Sequence, residues 1–88
     1  MDIERLRAEG ISYRGVTLMY DPVGSEWDLK FGDEFIAWAV RRDDGWRVCA
    51  PSSRNPFDIA DVIDDGLTEA EAVADLGVLG RQATAKAD

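Results

Sequence analysis

The stretch Trp27-Asp28-Leu29-Lys30-Phe31, followed by Phe35-Ile36-Ala37-Trp38-Ala39-Val40, decides the fold of this chain. The first five residues alternate apolar and polar side chains, a period of two that is typical of a strand with one buried face. The next six residues carry apolar side chains on both faces, as expected for a central strand. Gly32 and Asp33 between the two segments favour a tight turn. Together they predict a pair of adjacent antiparallel strands.

Two further strands are predicted on either side of this pair. Val16-Thr17-Leu18-Met19-Tyr20 is apolar and partly β-branched, and it runs into a turn that contains proline and glycine. Asp44-Gly45 favours a hairpin turn, because glycine adopts the positive φ that such turns require. Trp46-Arg47-Val48-Cys49-Ala50 then continues as a strand. We therefore expect a four-stranded antiparallel β-meander over residues of about 13–50.

The C-terminal part of the chain predicts two short helices. Ile59, Val62 and Ile63 have the i, i+3, i+4 spacing of a helical apolar face, which favours a helix over about 57–65. Thr68 followed by Glu71 matches a capping box, which predicts a second helix over about 69–77. We expect both helices to pack on one face of the sheet, so the fold class is α+β.

The length of 88 residues is typical of a single domain. The N-terminal residues favour a short helix or arm, with Gly10 as its stop signal. The expected divisions are an N-terminal arm or helix over 1–10, the β-meander over 11–50, a loop over 51–56, an acidic helical pair over 57–77 and a tail over 78–88.

Composition argues against several classes of function. The chain has a net charge of −8, no histidine and one cysteine, Cys49. A charge of this sign repels phosphate backbones and anionic lipids, so nucleic acid is an improbable partner and membrane binding is not expected. Without histidine the usual general base is missing, and one cysteine cannot form an ordinary zinc site. We expect no catalysis, no metal and no cofactor.

The location is inferred by elimination. Residues 1–5 lack the basic segment followed by an apolar run that marks a secretory signal. The unpaired Cys49 is compatible with a reducing compartment. These features predict a cytoplasmic protein.

Negative charge is concentrated in one segment of the chain. Between residues 58 and 75 there are seven acids and no base, so this segment holds −7 of the net −8. We call these seven residues the acidic ridge, and they are Asp58, Asp61, Asp64, Asp65, Glu69, Glu71 and Asp75. On the predicted helices they would form stripes, which are either a solvated surface or a site for a basic protein partner.

Two other surfaces offer alternatives. Arginine and tryptophan on a sheet can stack single-stranded bases or bind a small ligand, and the candidates are Trp38, Arg41, Arg42, Trp46 and Arg47. The strand at 35–40 is apolar on both faces, yet helices can cover only one of them. The N-terminal arm or a second copy of the chain could cover the other face. A second copy would make the protein a homodimer or a larger structural homo-oligomer.

The leading hypothesis is a small acidic module for protein–protein interaction that binds through the acidic ridge, the open sheet face or both. Its narrowest version is an inhibitor or decoy of a nucleic-acid-handling protein, of the kind that phages and mobile elements encode. The acids would then occupy a cleft in place of phosphates. A sheet-based binder and a structural homo-oligomer are the alternatives.

Overall fold

A computed structural model describes residues 2–51 and 60–87 of the chain. The elements in chain order are α1 (Ile3–Glu9), β1 (Ile11–Tyr13), β2 (Val16–Asp21), β3 (Glu26–Phe31), β4 (Glu34–Arg42), β5 (Gly45–Ala50), β6 (Asp61–Leu67) and α2 (Glu69–Ala87). The fold is α+β, with one antiparallel sheet, a short N-terminal helix and a C-terminal helix. No helix in the described part of the chain is long and apolar enough to cross a membrane.

The six strands lie in the sheet in the order of the sequence, and each pairs antiparallel with the next. The β2–β3 and β3–β4 pairs at the centre follow the alternation that the sequence predicts, with Leu18 opposite Leu29 and Leu29 opposite Ala37. Gly32 and Asp33 form the turn between β3 and β4, as expected. The next turn is formed by Asp43 and Asp44, while Gly45 already belongs to β5.

Helix α2 covers one face of the sheet and forms the core with it. Trp27, Ala37, Ala39 and Val48 point to this face and are fully buried. The helix contributes Ala72, Val73 and Leu76 to the same core. On the opposite face, which we call the outer face, Trp38 and its neighbours along β4 remain half-buried. The small side chains at 37 and 39 let the helix lie close to the sheet, which explains why this face is the covered one.

The prediction of four strands is wrong, because β1 and β6 extend the meander at both edges. The predicted helix over 57–65 is also wrong where the chain is described, since 61–67 forms β6. The remainder of that helix, and most of the predicted loop at 51–56, falls outside the described residues. As a helix, this segment would place acids at i, i+3 and i+7 on one stripe, where they repel one another. As a strand, it pairs with β5 and brings Asp65 to Arg47.

The second C-terminal helix is much longer than predicted. It begins at Glu69 with the expected capping box, in which Thr68 accepts a hydrogen bond from the Glu71 N–H and Glu71 accepts one from the Thr68 N–H. It then continues through Gly77, the predicted end, and through the residues expected to form a tail. Glycine at position 80 allows a close approach, because a Cβ there would lie 3.1 Å from Cγ1 of Val16. Packing against the sheet therefore outweighs the weak helix propensity of glycine.

Candidate functional site

The acidic ridge does not form two helical stripes. Asp61, Asp64 and Asp65 lie on β6, while Glu69, Glu71 and Asp75 lie in the first half of α2. Asp58 lies outside the described residues. The strand and the helix are adjacent, because Thr68 alone separates them. Six of the seven acids therefore lie on two neighbouring elements, but their side chains differ in burial and in the groups that they contact.

Asp64 on β6 and Asp75 on α2 lie close enough for their carboxyl groups to interact. The pKa of Asp75 is raised above its ordinary value, first by partial burial of its carboxyl group and then by a hydrogen bond with Asp64. The charge of Glu71, one helical turn earlier, acts in the same direction. Three carboxyl groups from β6 and α2 thus concentrate negative charge in a small area.

Asp65 is neutralised by an arginine of the neighbouring strand. Its carboxylate accepts a hydrogen bond of 3.0 Å from Arg47, and this contact holds the pKa of Asp65 below its usual range. The Asp65 side chain also accepts from the Gly66 N–H, which helps to shape the end of β6. Asp65 therefore has a local structural partner.

Glu69 also has local structural partners, and the sequence did not predict them. The Arg7 guanidinium binds both of its carboxylate oxygens, with 3.0 Å between Arg7 Nε and Glu69 Oε2. The indole N–H of Trp27 donates to Glu69 Oε2 at 2.9 Å. The Glu69 side chain is only 15% exposed. It joins α1, the sheet and α2, and contributes little to the exposed charge.

Four acids remain exposed or half-buried with no ion pair to an arginine or lysine in residues 2–51 and 60–87. We call this set the acidic edge, and its members are Asp61, Asp64, Glu71 and Asp75. Apolar side chains lie beside them on β6, where Val62 and Ile63 are 55% and 47% exposed. The arrangement combines negative charge with accessible apolar surface.

The alternative set of aromatic and basic residues is divided between the two faces of the sheet. Trp46 is buried on the helix-covered face and lines a cleft of about 450 Å³ with Arg41, Arg42 and Glu69, the first residue of α2. Trp38 and Arg47 lie on the outer face, since they alternate with buried residues of β4 and β5. The five residues therefore do not form one stacking surface.

The side chain of Cys49 is buried on β5 and faces the outer side of the sheet opposite Trp38. Removal from water raises the pKa of its thiol above the ordinary value. The thiol therefore stays protonated near neutral pH, and a protonated thiol is a poor nucleophile. In the described ranges no three acidic or cysteine side chains converge to hold a metal ion.

Glu26 and Asp28 form a second carboxyl pair that the sequence analysis did not single out. They lie two residues apart on β3 and face the outer side of the sheet, where Val40 and Trp38 are their cross-strand neighbours. A hydrogen bond with Asp28, together with desolvation, raises the pKa of Glu26 to about 7. The sequence could have indicated this pair, because the period-two pattern of a strand places positions 26 and 28 on the same face.

We expect Glu26→Gln to change how stability depends on pH. In the unfolded chain Glu26 has a pKa near 4.5, whereas in the folded state it is about 7. Between these values the folded state keeps a proton that the unfolded state has lost, so this stabilising contribution disappears as the pH rises. Glutamine stays neutral, so the variant should be more stable than wild type at pH 7.5 by about 1 kcal/mol, a value reduced for solvent screening.

Urea denaturation between pH 4.5 and 8 measures this difference. The two stability curves should converge near pH 4.5 and separate as the pH rises to 7. Glu34→Gln, at an exposed glutamate of the adjacent strand β4, is the matched control and should leave the shape of the curve unchanged. A constant offset between wild type and Glu26→Gln at all pH values would contradict the prediction.

Comparison of the chain with protein-family models, with curated proteins and with solved structures finds no match.

Proposed function

We propose that this chain is a small non-catalytic interaction module that binds a basic surface of a protein partner through its acidic edge. The observation that carries the proposal is the contact between Asp64 and Asp75, which brings two carboxyl groups of different elements together. Two neighbouring negative charges repel each other and so disfavour folding, whereas neutral residues at these positions would not. A cation supplied by a partner would relieve the same repulsion.

The apolar surface beside the acids supports a protein partner. Protein interfaces combine an apolar centre with a polar rim. Val62 and Ile63 supply exposed apolar area on β6, and Val78 on α2 is 43% exposed. Complementary charge around such a centre speeds association and excludes partners of the wrong sign.

The narrower form of the proposal is an inhibitor or decoy of a nucleic-acid-handling protein, of phage or mobile-element type. Such proteins present lysine and arginine to phosphate groups. Carboxylates gathered on one edge of a small domain would compete for the same cations. This form predicts that added DNA or RNA displaces the chain from its partner.

Neutralising the acidic edge should weaken binding without unfolding the protein. The variant Asp64→Asn, Glu71→Gln, Asp75→Asn removes three negative charges and keeps the side-chain oxygens that cap backbone N–H groups. Its stability should equal or slightly exceed that of wild type, because like charges are removed. If each lost charge pair contributes roughly 0.5 kcal/mol or more, the affinity for the partner should fall at least about tenfold.

The partner is identified by affinity capture from the native host, and its dissociation constant is then titrated over a range of salt concentrations. The matched control is Asp33→Asn, Glu34→Gln, Asp43→Asn, which removes the same charge from exposed residues that do not belong to the acidic edge. This control should bind nearly as tightly as wild type. The proposal is wrong if both variants lose affinity equally or if neither does.

A further inference from the structure

Within residues 2–51 and 60–87, the outer edge of β6 is an open sheet edge. Among the strands of these ranges β6 pairs with β5 alone, and residues 61–66 are all exposed. The N–H groups of Asp65 and Gly66 are each bonded to a carboxylate of the residue before them. For residues 61–64, no other strand or loop in the described ranges hydrogen-bonds to this edge. An exposed edge of this kind is a template on which an extended segment can form a further strand.

Apolar side chains of β6 would contact an added strand and help to stabilise it. Val62 pairs with Cys49 and faces the outer side of the sheet, and Ile63 follows it where the pairing of β6 with β5 is irregular. Both are about half exposed. A neighbouring strand would cover them, and the apolar area so buried would add to the backbone hydrogen bonds.

Charge on the edge argues against a second copy of this chain as the occupant. If two β6 strands paired antiparallel around Asp64, this residue would face its own copy. If they paired around Ile63, Asp61 would face Asp65. Like charges directly opposite each other destabilise a strand pair, so the acids oppose self-pairing in both of these registers.

The same charges select a basic segment. On the helix-covered side, where Asp64 pairs with Val48, an added strand would pass close to Asp64. The Asp64 carboxyl group interacts with that of Asp75, and the charge of Glu71 also acts on Asp75. Lysine or arginine at alternate positions would point to these carboxyl groups, because successive side chains of a strand point to opposite faces. We infer that the free edge of β6 accepts an extended, basic segment of a protein partner as a seventh strand. The inference rests on the proposed function and specifies the form of the partner.

The test uses the full chain and two designed peptides. The probe is an acetylated and amidated octapeptide of alternating lysine and valine. The control peptide has the same sequence with alternate backbone nitrogens methylated, so charge and side chains are kept while donors to the ladder are lost. Binding is followed by fluorescence anisotropy of labelled peptide and by amide hydrogen exchange of the protein.

The lysine–valine peptide should bind and slow the exchange of amides in 61–64 at least about tenfold, while the methylated peptide binds at least about tenfold more weakly. Asp64→Lys should also weaken binding about tenfold, whereas Asp33→Lys should not. Equal binding of both peptides would overturn strand addition but leave the proposed function standing. Protection located on the outer face, or a dimer of the free chain joined through β6, would also overturn the inference.

Discussion

Replacement of Trp27 by alanine is expected to lower the free energy of unfolding by about 3–5 kcal/mol. The indole is fully buried between the sheet and α2, and its ring centroid lies 5.1 Å from that of Tyr20. Alanine would leave a cavity in the core and remove the N–H donor of Glu69. A domain of this length has a total stability of roughly 4–13 kcal/mol, so much of it would be lost.

Two control variants separate the causes of this loss. Trp27→Phe keeps an aromatic ring but removes the donor to Glu69, and it should cost about 1–3 kcal/mol. Trp38→Ala removes a half-buried ring from the outer face and should cost less than Trp27→Ala, since neighbouring atoms and solvent can fill the space. Urea denaturation followed by circular dichroism measures all three. Equal losses for Trp27→Ala and Trp38→Ala would mean that the core is not centred beneath α2.

Gly45→Ala is expected to cost about 2–4 kcal/mol and to detach β6 from the sheet. Gly45 has a φ of +131°, a conformation that other residues adopt only with a strain of about 1–3 kcal/mol. A Cβ at this position would also lie 2.8 Å from the carbonyl oxygen of Leu67. This oxygen belongs to the backbone of β6, so the strand itself would have to move.

Gly32→Ala is the matched control for this prediction. Gly32 also has a positive φ, +62°, but a Cβ there would meet nothing within 4 Å. It should therefore show the conformational cost alone, about 1 kcal/mol. Thermal denaturation compares the stabilities, and amide exchange should report faster opening of β6 in Gly45→Ala only. Similar costs and similar exchange in both variants would show that the contact with Leu67 is unimportant.

Part of the candidate site was predictable from the sequence. The concentration of acids between residues 58 and 75 is a property of the chain, and four of them remain as the acidic edge. Their separation into exposed and paired groups was not predictable. Arg7 lies 62 residues before Glu69, and Arg47 lies 18 residues before Asp65. Only the folded chain brings these arginines to the acids, so local patterns could not identify the pairs.

The central meander, a short helix or arm before Gly10 and the start of α2 were predictable from the sequence. Each of these features depends on residues a few positions apart, so a local pattern predicts it. The patterns are the alternation within β3, the turn at Gly32-Asp33 and the capping box at Thr68. The tertiary structure alone decided that 61–67 is a strand and that α2 continues past Gly77. Pairing with the edge of β5 stabilises β6, and packing against the sheet face stabilises the second half of α2. These interactions outweigh local propensities, which contribute less than about 1 kcal/mol per residue. Long-range packing thus placed Asp61, Asp64 and Asp65 on a sheet edge instead of a helix.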